Sequence, residues 1–340
     1  MKKICIIGTG AVGGLLAGHL AQTNHQLTLF DRDEQISELI KNGLTIINPD
    51  NSEVNTKNFT ATSDLRSCSK QDIIILAVKA HQIQNLLTNL KPLLHDQTII
   101  ITLQNGIPWW YFKGQAGEFK DKDLQSLDPD GKISQYISSD RVIGCVAYCA
   151  AEIKQPGKIH HKEGYRFPLG ELDGKTSPRI LQVSEMFTEA GFKSPVLSDI
   201  RAEIWLKAWG SLAFNPISAL THSTLVEICD YPISRVLVKS MMLEAETIAN
   251  KLGIKFRVSL EERINGAQKV GNHKTSMLQD VETGVELEIE AILSVILELG
   301  ALTDTVIPYI SAVYACTKLL DNTMQKNSRY IYAATKPIKK

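Results

Sequence analysis

Short apolar runs alternate with amphipathic stretches over the first half of the chain. Residues 3–7, 72–78, 98–103 and 142–148 are almost continuously apolar, which is typical of strands that are buried on both faces of a parallel sheet. Apolar positions with helical spacing lie between these runs. The pattern therefore predicts an α/β architecture in which helices cover both faces of the sheet.

The pattern changes after about residue 175, where strand-like runs stop and helical spacing takes over. The clearest apolar stripe recurs every three to four residues and is followed by Gly253, a typical helix stop. Its members are Leu237, Met241, Ala245, Ile248 and Leu252. We therefore predict that residues 176–335 form a second domain that is entirely helical.

A glycine-rich turn joins the first predicted strand to the first predicted helix. It consists of Gly8, Thr9, Gly10, Ala11, Val12 and Gly13. Gly8 permits a tight turn, Gly10 lets the backbone approach a pyrophosphate, and Gly13 lets the helix pack on the strand. The helix then offers free N–H groups to the phosphates. We predict a Rossmann-like, dinucleotide-binding α/β domain over residues 1–175, followed by the all-α domain.

Two charged residues at the end of the next predicted strand, residues 26–30, bear on which dinucleotide is bound. Asp31 lies 23 residues after Gly8, about where an acidic residue accepts a hydrogen bond from the ribose 2′-hydroxyl of NAD. Arg32 is instead suited to the 2′-phosphate of NADP. The two residues favour different cofactors, and this pair leaves both open.

A polar stripe runs along the predicted helix over residues 200–222. Lys207, Ser211 and Asn215 recur every four residues, so they lie on one face, between aromatic side chains. Loss of hydration lowers the pKa of a lysine and a nearby carboxylate raises it, so such a lysine can donate a proton near neutral pH. The alternative is a lysine whose ammonium group reaches the surface.

Composition narrows the class of protein. The 340 residues contain 37 Lys and Arg against 37 Asp and Glu, so no net charge draws the chain to nucleic acid or anionic membranes. No apolar run reaches the roughly 18 residues of a membrane span. Six cysteines without C-x-x-C spacing predict free thiols in the cytoplasm. His160 and His161 lack a third ligand at suitable spacing, so no metal is expected.

Five short motifs, spread in order over almost the whole chain, resemble the 2-dehydropantoate 2-reductase (ketopantoate reductase) family. The first is the glycine-rich turn. The others are Val78-Lys79-Ala80, Gln104-Asn105-Gly106, Lys207 to Asn215-Pro216 and on to Leu220, and Ser276 to Asp280 leading to Glu288-Ile289-Glu290. The resemblance implies a C-terminal domain like that of 6-phosphogluconate dehydrogenase.

Members of this family reduce the ketone of 2-dehydropantoate to (R)-pantoate with NADPH, a step toward pantothenate and coenzyme A. The resemblance implies that Lys207 is the general acid and that Glu288 orients it and contacts the substrate hydroxyl. It implies cofactor contacts, beyond the glycine-rich turn, for Arg32, Lys79 and Asn105, and Arg32 at the 2′-phosphate favours NADP. It implies substrate contacts for Asn105, Ser211, Asn215 and Ser276.

Three residues depart from the family pattern. Ser211 and His273 stand where members carry asparagine, and Asp31 stands where a neutral residue is usual. The alternatives are an NAD(P)-dependent reductase of another 2-keto acid, an opine-type reductase, and a non-catalytic NADP sensor. We expect a small 2-keto acid to bind in a cleft between the two domains, and the chain is compatible with a homodimer.

Overall fold

The computed structural model describes residues 1–327 and residue 329. These residues divide into two units, of which the first contains Met1–Gln104, Trp109–Asp123 and Asp128–Glu203. The second contains Asn105–Pro108, Leu124–Leu127 and the chain from Ile204 onward. The predicted domain boundary after residue 175 stays a prediction, and the predicted end at residue 335 lies outside the described residues.

The strands all belong to the first unit among the described residues. They are β1 (Lys3–Ile7), β2 (Gln26–Phe30), β3 (Leu44–Ile47), β4 (Glu53–Thr56), β5 (Thr60–Thr62), β6 (Ile73–Leu76), β7 (Ile99–Thr102), β8 (Val142–Cys145), β9 (Tyr148–Gln155), β10 (Lys158–Arg166) and β11 (Leu169–Glu171). Seven of them form a sheet in the order β11-β8-β7-β6-β1-β2-β5.

This sheet is parallel except at one edge, where β11 runs antiparallel to β8. All residues of β6, β7 and β8 are buried, as expected for strands covered on both faces. The ladder on either side of β1 is in register, with Ile7 opposite Phe30 of β2 and Leu76 of β6. The α/β prediction for the first half of the chain is therefore confirmed.

A second sheet has the strand order β4-β3-β10-β9. Strands β9 and β10 form an antiparallel hairpin that includes His160 and His161. This sheet packs on the helix that follows the glycine-rich turn. A Cβ atom added at Gly14 would lie 2.8 Å from Ile159, and one at Gly18 would lie 2.3 Å from Ile46, so this helix face requires glycine.

The α-helices of the first unit are α1 (Ala11–Leu20), α2 (Asp33–Asn42), α3 (Leu87–Leu90), α4 (Lys132–Tyr136) and α5 (Pro178–Glu189). Short 3₁₀ helices span Leu65–Ser67, Ala80–Leu86, Lys91–Leu93, Pro129–Gly131 and Ser139–Arg141. The helix that begins in the first unit and continues into the second is α6 (Ile200–Thr221).

All regular elements among the described residues of the second unit are helices, as predicted. After α6 it contains α7 (Leu225–Asp230), α8 (Pro232–Lys251), α9 (Leu260–Lys269), α10 (Ser276–Thr283), a π-helical turn (Glu290–Ser294), α11 (Val295–Leu302) and α12 (Pro308–Lys326). Together the two units confirm the predicted fold class. Among the described helices, none is both long enough and apolar enough to span a membrane.

One predicted helix is interrupted. Apolar positions with helical spacing continue over residues 276–300 and predict one helix, but α10 ends at Thr283, before Gly284, whose φ of 70° is left-handed. Residues 285–288 then form a loop before the π-helical turn. The prediction was wrong there because apolar positions continue through the loop with helical spacing, whereas the glycine terminates the hydrogen-bond ladder.

The six cysteines are free, as predicted, and three of them are buried: Cys5, Cys145 and Cys229. Burial raises the pKa of the Cys5 thiol far above its usual value, so this side chain in β1 stays a neutral, unreactive thiol. Cys316 is exposed.

Candidate active site

The glycine-rich turn lies at the carboxyl edge of the parallel sheet, where β1 stands between β2 and β6. Gly8 has a φ of +95°, and a Cβ atom there would lie 2.8 Å from Ala77 O. A Cβ atom at Gly13 would lie 2.0 Å from Gly8 O. Beside Gly10, by contrast, no atom lies within 4 Å of the position of a Cβ atom. Packing explains two of the glycines, and the third leaves open space for a ligand.

The helix α1 that starts at this open space has a free N-terminus. No side chain caps Gly10, the N-cap residue, and the first turn contains no acidic residue. Its backbone N–H groups and the positive end of its dipole therefore remain available to an anion. The open side of Gly10 and the uncapped helix fit the pyrophosphate of a dinucleotide.

The two charged residues that follow β2 differ in their contacts: the Asp31 carboxylate is hydrogen-bonded to the protein, whereas the Arg32 side chain is not, among the described residues. The Asp31 carboxylate accepts hydrogen bonds through Oδ2 from the Thr9 backbone N–H at 2.6 Å and from the Thr9 hydroxyl at 2.8 Å. Its Oδ1 accepts the Arg32 backbone N–H at 2.8 Å. The Arg32 side chain is exposed and has no hydrogen-bond or ion-pair partner among the described residues.

Lys79 follows β6, so it lies at the same edge of the sheet as the glycine-rich turn. It is half-buried and its backbone N–H donates to Gln82 Oε1 at 3.1 Å. The Gln104 amide donates to Leu76 O at 2.8 Å and to Val78 O at 3.1 Å. Gln104 thus fixes the backbone just before Lys79. The sequence shows Gln104 only as part of a motif and does not reveal this role.

In the second unit, α6 presents the predicted polar stripe. Lys207, Ser211 and Asn215 are half-buried, and the helix between them is otherwise buried. On another face, Trp209 stacks on Phe256 with ring centroids 4.0 Å apart, and its indole N–H donates to Met242 O at 2.7 Å. This anchor fixes the rotation of α6 about its axis, and α6 continues through Pro216 without ending.

The three side chains of the stripe differ in what they offer a ligand. The Ser211 hydroxyl donates to Lys207 O at 3.2 Å, within its own helix. The Asn215 amide has no hydrogen-bond partner among the described residues. Asn215 therefore offers both donor and acceptor, whereas Ser211 keeps chiefly its acceptor capacity.

Asn105 and Glu288 come together in the second unit although 183 residues separate them. Asn105 Nδ2 lies 3.4 Å from Glu288 Oε2, a long hydrogen bond. Next to Asn105, the Ile107 backbone N–H donates to Ala291 O at 2.9 Å. Gly106 has a φ of +78°, and a Cβ atom there would lie 1.9 Å from Ala291 O. Gly106 is therefore required for this contact with the π-helical turn.

The neighbouring glutamates have other partners. Glu290 Oε1 accepts a hydrogen bond from Lys318 at 2.6 Å, and Glu286 lies 3.5 Å from Arg329. The three alternate glutamates thus have separate partners and do not form one carboxylate cluster. Glu288 lies in the loop before the π-helical turn rather than on a helix.

Ser276 is the first residue of α10 and its side chain is exposed. The preceding Thr275 is buried and caps the helix, because its hydroxyl accepts the Leu278 backbone N–H at 3.2 Å. His273 lies in the turn before α10, where its backbone carbonyl accepts the Leu225 N–H at 3.0 Å. The start of α10 thus presents a hydroxyl and a positive helix end side by side.

Among the described residues, no group of three or more His, Cys, Asp or Glu side chains is arranged to hold a metal ion. His161 is fully buried in β10, where its Nε2 lies 2.7 Å from Gly164 O. This contact and the ring of Tyr165, 4.4 Å away between centroids, are those of a packed core histidine.

Two family descriptions match almost the whole chain. Residues 4–174 match "Ketopantoate reductase PanE/ApbA", and residues 199–321 match "Ketopantoate reductase PanE/ApbA C terminal". The chain belongs to the ketopantoate reductase family. Membership confirms the resemblance that the five motifs indicated, and it makes the chain an oxidoreductase that acts on a CH–OH group and its ketone.

Relatives within the ketopantoate reductase family cover nearly the full length of the chain. A 2-dehydropantoate 2-reductase of Mesorhizobium japonicum is 44% identical over 94% of this chain and 97% of its own. One of Pyrococcus horikoshii is 29% identical over 93% of this chain and 96% of its own.

Crystal structures agree with this membership. A candidate ketopantoate reductase from Ralstonia solanacearum has a TM-score of 0.90 and 32% identity, over 97% of this chain and 100% of its own. A D-mandelate dehydrogenase crystallised with NADH and anilino(oxo)acetate has a TM-score of 0.81, over 95% of this chain and 99% of its own, at 19% identity. The latter likeness extends the fold beyond ketopantoate reductases, and at that identity it concerns the fold alone.

Proposed function

We propose that this chain is an NADPH-dependent 2-dehydropantoate 2-reductase that forms (R)-pantoate. The observation that carries the proposal is the polar stripe on α6, where Lys207 and Asn215 stand half-buried on an otherwise buried stretch of helix. The relative from Mesorhizobium japonicum, named for this reaction and 44% identical over 94% of the chain, supports it.

In the proposed reaction, Lys207 is the general acid. Bound NADPH supplies the hydride that reduces the carbonyl carbon of the substrate. The Lys207 ammonium group stabilises the negative charge that develops on the carbonyl oxygen and donates a proton to it, so the ketone becomes a hydroxyl. The lysine is left neutral and regains a proton from solvent before the next turnover.

Glu288 and Asn105 are proposed to bind the hydroxyl group of the substrate. Glu288 is only 8% exposed, and its hydrogen bond to Asn105 is long at 3.4 Å. A nearly buried carboxylate with so weak a partner gains free energy when a substrate hydroxyl donates to it.

Ser276 is proposed to bind the carboxylate of the 2-keto acid. Its exposed hydroxyl stands at the first turn of α10, where free backbone N–H groups and the positive end of the helix dipole favour an anion. Asn215 is proposed to donate from its free amide to the substrate, and Ser211 to accept from it.

NADPH is the proposed cofactor because of Arg32. Its guanidinium is exposed and unpaired among the described residues, and it follows the strand end where the adenosine ribose lies in dinucleotide-binding folds. An arginine binds a phosphate through two parallel hydrogen bonds. Lys79 is proposed to face the cofactor from the end of β6.

A homodimer and a cytoplasmic location stay predictions. A ketopantoate reductase of the same fold from Staphylococcus aureus is described as dimeric. This chain carries exposed apolar side chains on α8, namely Ile233, Val236 and Leu243, which suit contact with another apolar surface.

The direct test measures the oxidation of NADPH, by the loss of its absorbance, with a panel of 2-keto acid substrates. We expect kcat/KM for 2-dehydropantoate to exceed that for 3,3-dimethyl-2-oxobutanoate, which differs only by lacking the hydroxyl group, by at least about a hundredfold, because Glu288 then loses its donor. Repeating the assay with NADH should lower kcat/KM.

Other outcomes of the panel contradict the proposal in different ways. Equal or higher kcat/KM with phenylglyoxylate would indicate a reductase of another 2-keto acid. Reaction only in the presence of an amino acid would indicate an opine-type enzyme. Tight NADPH binding without turnover on any keto acid would indicate a sensor.

A further inference from the structure

The side-chain contacts at the end of β2 differ from those of a simple ribose-binding aspartate. The ladder between β1 and β2 continues one step beyond the strands, because the Gly8 N–H donates to Phe30 O at 2.9 Å. The N–H of the following residue, Thr9, donates to Asp31 Oδ2 at 2.6 Å. A side-chain carboxylate, rather than a backbone carbonyl, therefore accepts this N–H.

The Thr9 hydroxyl adds a second hydrogen bond to the Asp31 carboxylate. It donates to the same Oδ2 atom at 2.8 Å, and Thr9 has no exposed surface. A carboxylate oxygen has two lone pairs, so Thr9 occupies both acceptor sites of Oδ2. The hydroxyl has no competing partner among the described residues that would draw it away from Asp31.

The other carboxylate oxygen is partly occupied too. Asp31 Oδ1 accepts the Arg32 backbone N–H at 2.8 Å, which leaves about one of the four acceptor sites of the carboxylate for a ligand. An aspartate that selects NAD accepts the ribose 2′-hydroxyl and repels a 2′-phosphate. Here three protein donors partly neutralise the negative charge of the Asp31 carboxylate, which is directed at the glycine-rich turn. Its repulsion of a 2′-phosphate is therefore weaker.

We propose that Thr9 sets the cofactor preference by holding the Asp31 carboxylate against the glycine-rich turn. Thr9 is thus a positioning residue that acts through Asp31. With Asp31 held in this way, Arg32 binds the 2′-phosphate of NADP although an acidic residue precedes it. The inference rests on the proposed NADP-dependent function and explains how this chain combines Asp31 with that cofactor.

The test is the ratio of dissociation constants for NADH and NADPH, measured by titration calorimetry without substrate. Thr9→Val keeps the backbone N–H and the shape but removes the hydroxyl. Asp31 Oδ2 then gains a free acceptor site and its charge is less neutralised, so NADH binds more tightly and NADPH less tightly. We expect the ratio Kd(NADH)/Kd(NADPH) to fall by about tenfold, as for one hydrogen bond to a charged group.

Two further variants complete the test. Thr9→Ser retains the hydroxyl and should restore the ratio to within about twofold of the wild type. Asp31→Asn removes the charge and should raise the ratio by about tenfold, which keeps the test decisive if Thr9→Val does not fold. The ratio is measured on one protein sample, so a misfolded fraction does not alter it.

The outcomes separate this inference from the proposed reaction. If Thr9→Val weakens both cofactors by the same factor, Thr9 serves only the structure of the turn and the inference is overturned. An unchanged ratio in Asp31→Asn overturns it as well. If the ratios shift as expected but no keto acid is reduced, the cofactor inference stands and the proposed reaction fails.

Discussion

Glu288 is the carboxylate that we propose as the acceptor for the substrate hydroxyl. It is 8% exposed, and among the described residues its one hydrogen-bond partner is Asn105, at 3.4 Å. Burying a carboxylate with so few donors costs free energy. We propose that a substrate hydroxyl reduces that cost, so that part of the binding free energy of the substrate comes from completing the hydrogen bonds of this side chain.

Glu288→Gln should therefore lower the activity with little effect on the dissociation constant of the cofactor. We expect kcat/KM for 2-dehydropantoate to fall by about a hundredfold, because the charged acceptor proposed for the substrate hydroxyl is lost. The matched control is Glu290→Gln, since Glu290 pairs with Lys318 at 2.6 Å instead. Equal losses in the two variants would show that Glu288 has no special role.

The sequence could locate these side chains but not their directions. It placed Asp31 and Arg32 at the end of a strand next to the glycine-rich turn, which is where they lie. It left open whether Asp31 faces a ribose or the protein, because that depends on a rotamer and on the hydroxyl of Thr9. Only the distances of 2.6 and 2.8 Å to Thr9 decide it.

At the scale of elements, the turn after β7 and the π-helical turn Glu290–Ser294 form one structural joint. The Ile107 N–H donates to Ala291 O at 2.9 Å, which holds the segment containing Asn105 beside the loop containing Glu288. Gly106 permits the approach of the two backbones. Wide helical turns of this kind often occur at functional sites, where they free a carbonyl for another partner.

Gly106→Ala tests this joint. Its Cβ atom would lie 1.9 Å from Ala291 O at a φ of +78°, so the two segments must separate. We expect a loss of stability of about 3 kcal/mol, seen as a lower midpoint of thermal unfolding, and an increased KM for 2-dehydropantoate.

The matched control for Gly106→Ala is Gly253→Ala. Gly253 also has a positive φ, +82°, but no atom lies within 4 Å of the added Cβ position. It should cost only about 1 kcal/mol through backbone strain and leave KM unchanged. If the two variants lose the same stability and keep the same KM, the contact with Ala291 does not position Asn105.

The elements that the sequence predicted are those whose burial is uniform. Strands β6 and β7 are buried along their whole length and read as continuous apolar runs. The hairpin of β9 and β10 shows no regular alternation of apolar and polar residues, because its register shifts at several points. The loop that contains Glu288 was missed because Val285, Leu287 and Ile289 continue an apolar pattern through it.

For the whole molecule, the balance of 37 cationic and 37 anionic side chains gains a consequence. We propose that an anionic cofactor and an anionic keto acid are bound by local features rather than by a net positive field. The proposed features are the helix N-termini at α1 and α10, the lysine of α6 and Arg32, whose side chain has no partner among the described residues. The residues proposed for cofactor binding lie mainly in the first unit, and those proposed for proton transfer lie in the second.

The proposed division of roles between the two units has one direct test. Kd for NADPH and kcat for 2-dehydropantoate are determined on the same preparation of Lys207→Met, with Lys239→Met as the control because Lys239 pairs with Glu261 on the exposed side of α8. We expect Lys207→Met to lower kcat by about a thousandfold while Kd for NADPH stays within about twofold. Turnover close to that of the wild type in Lys207→Met would contradict the proposed role of Lys207.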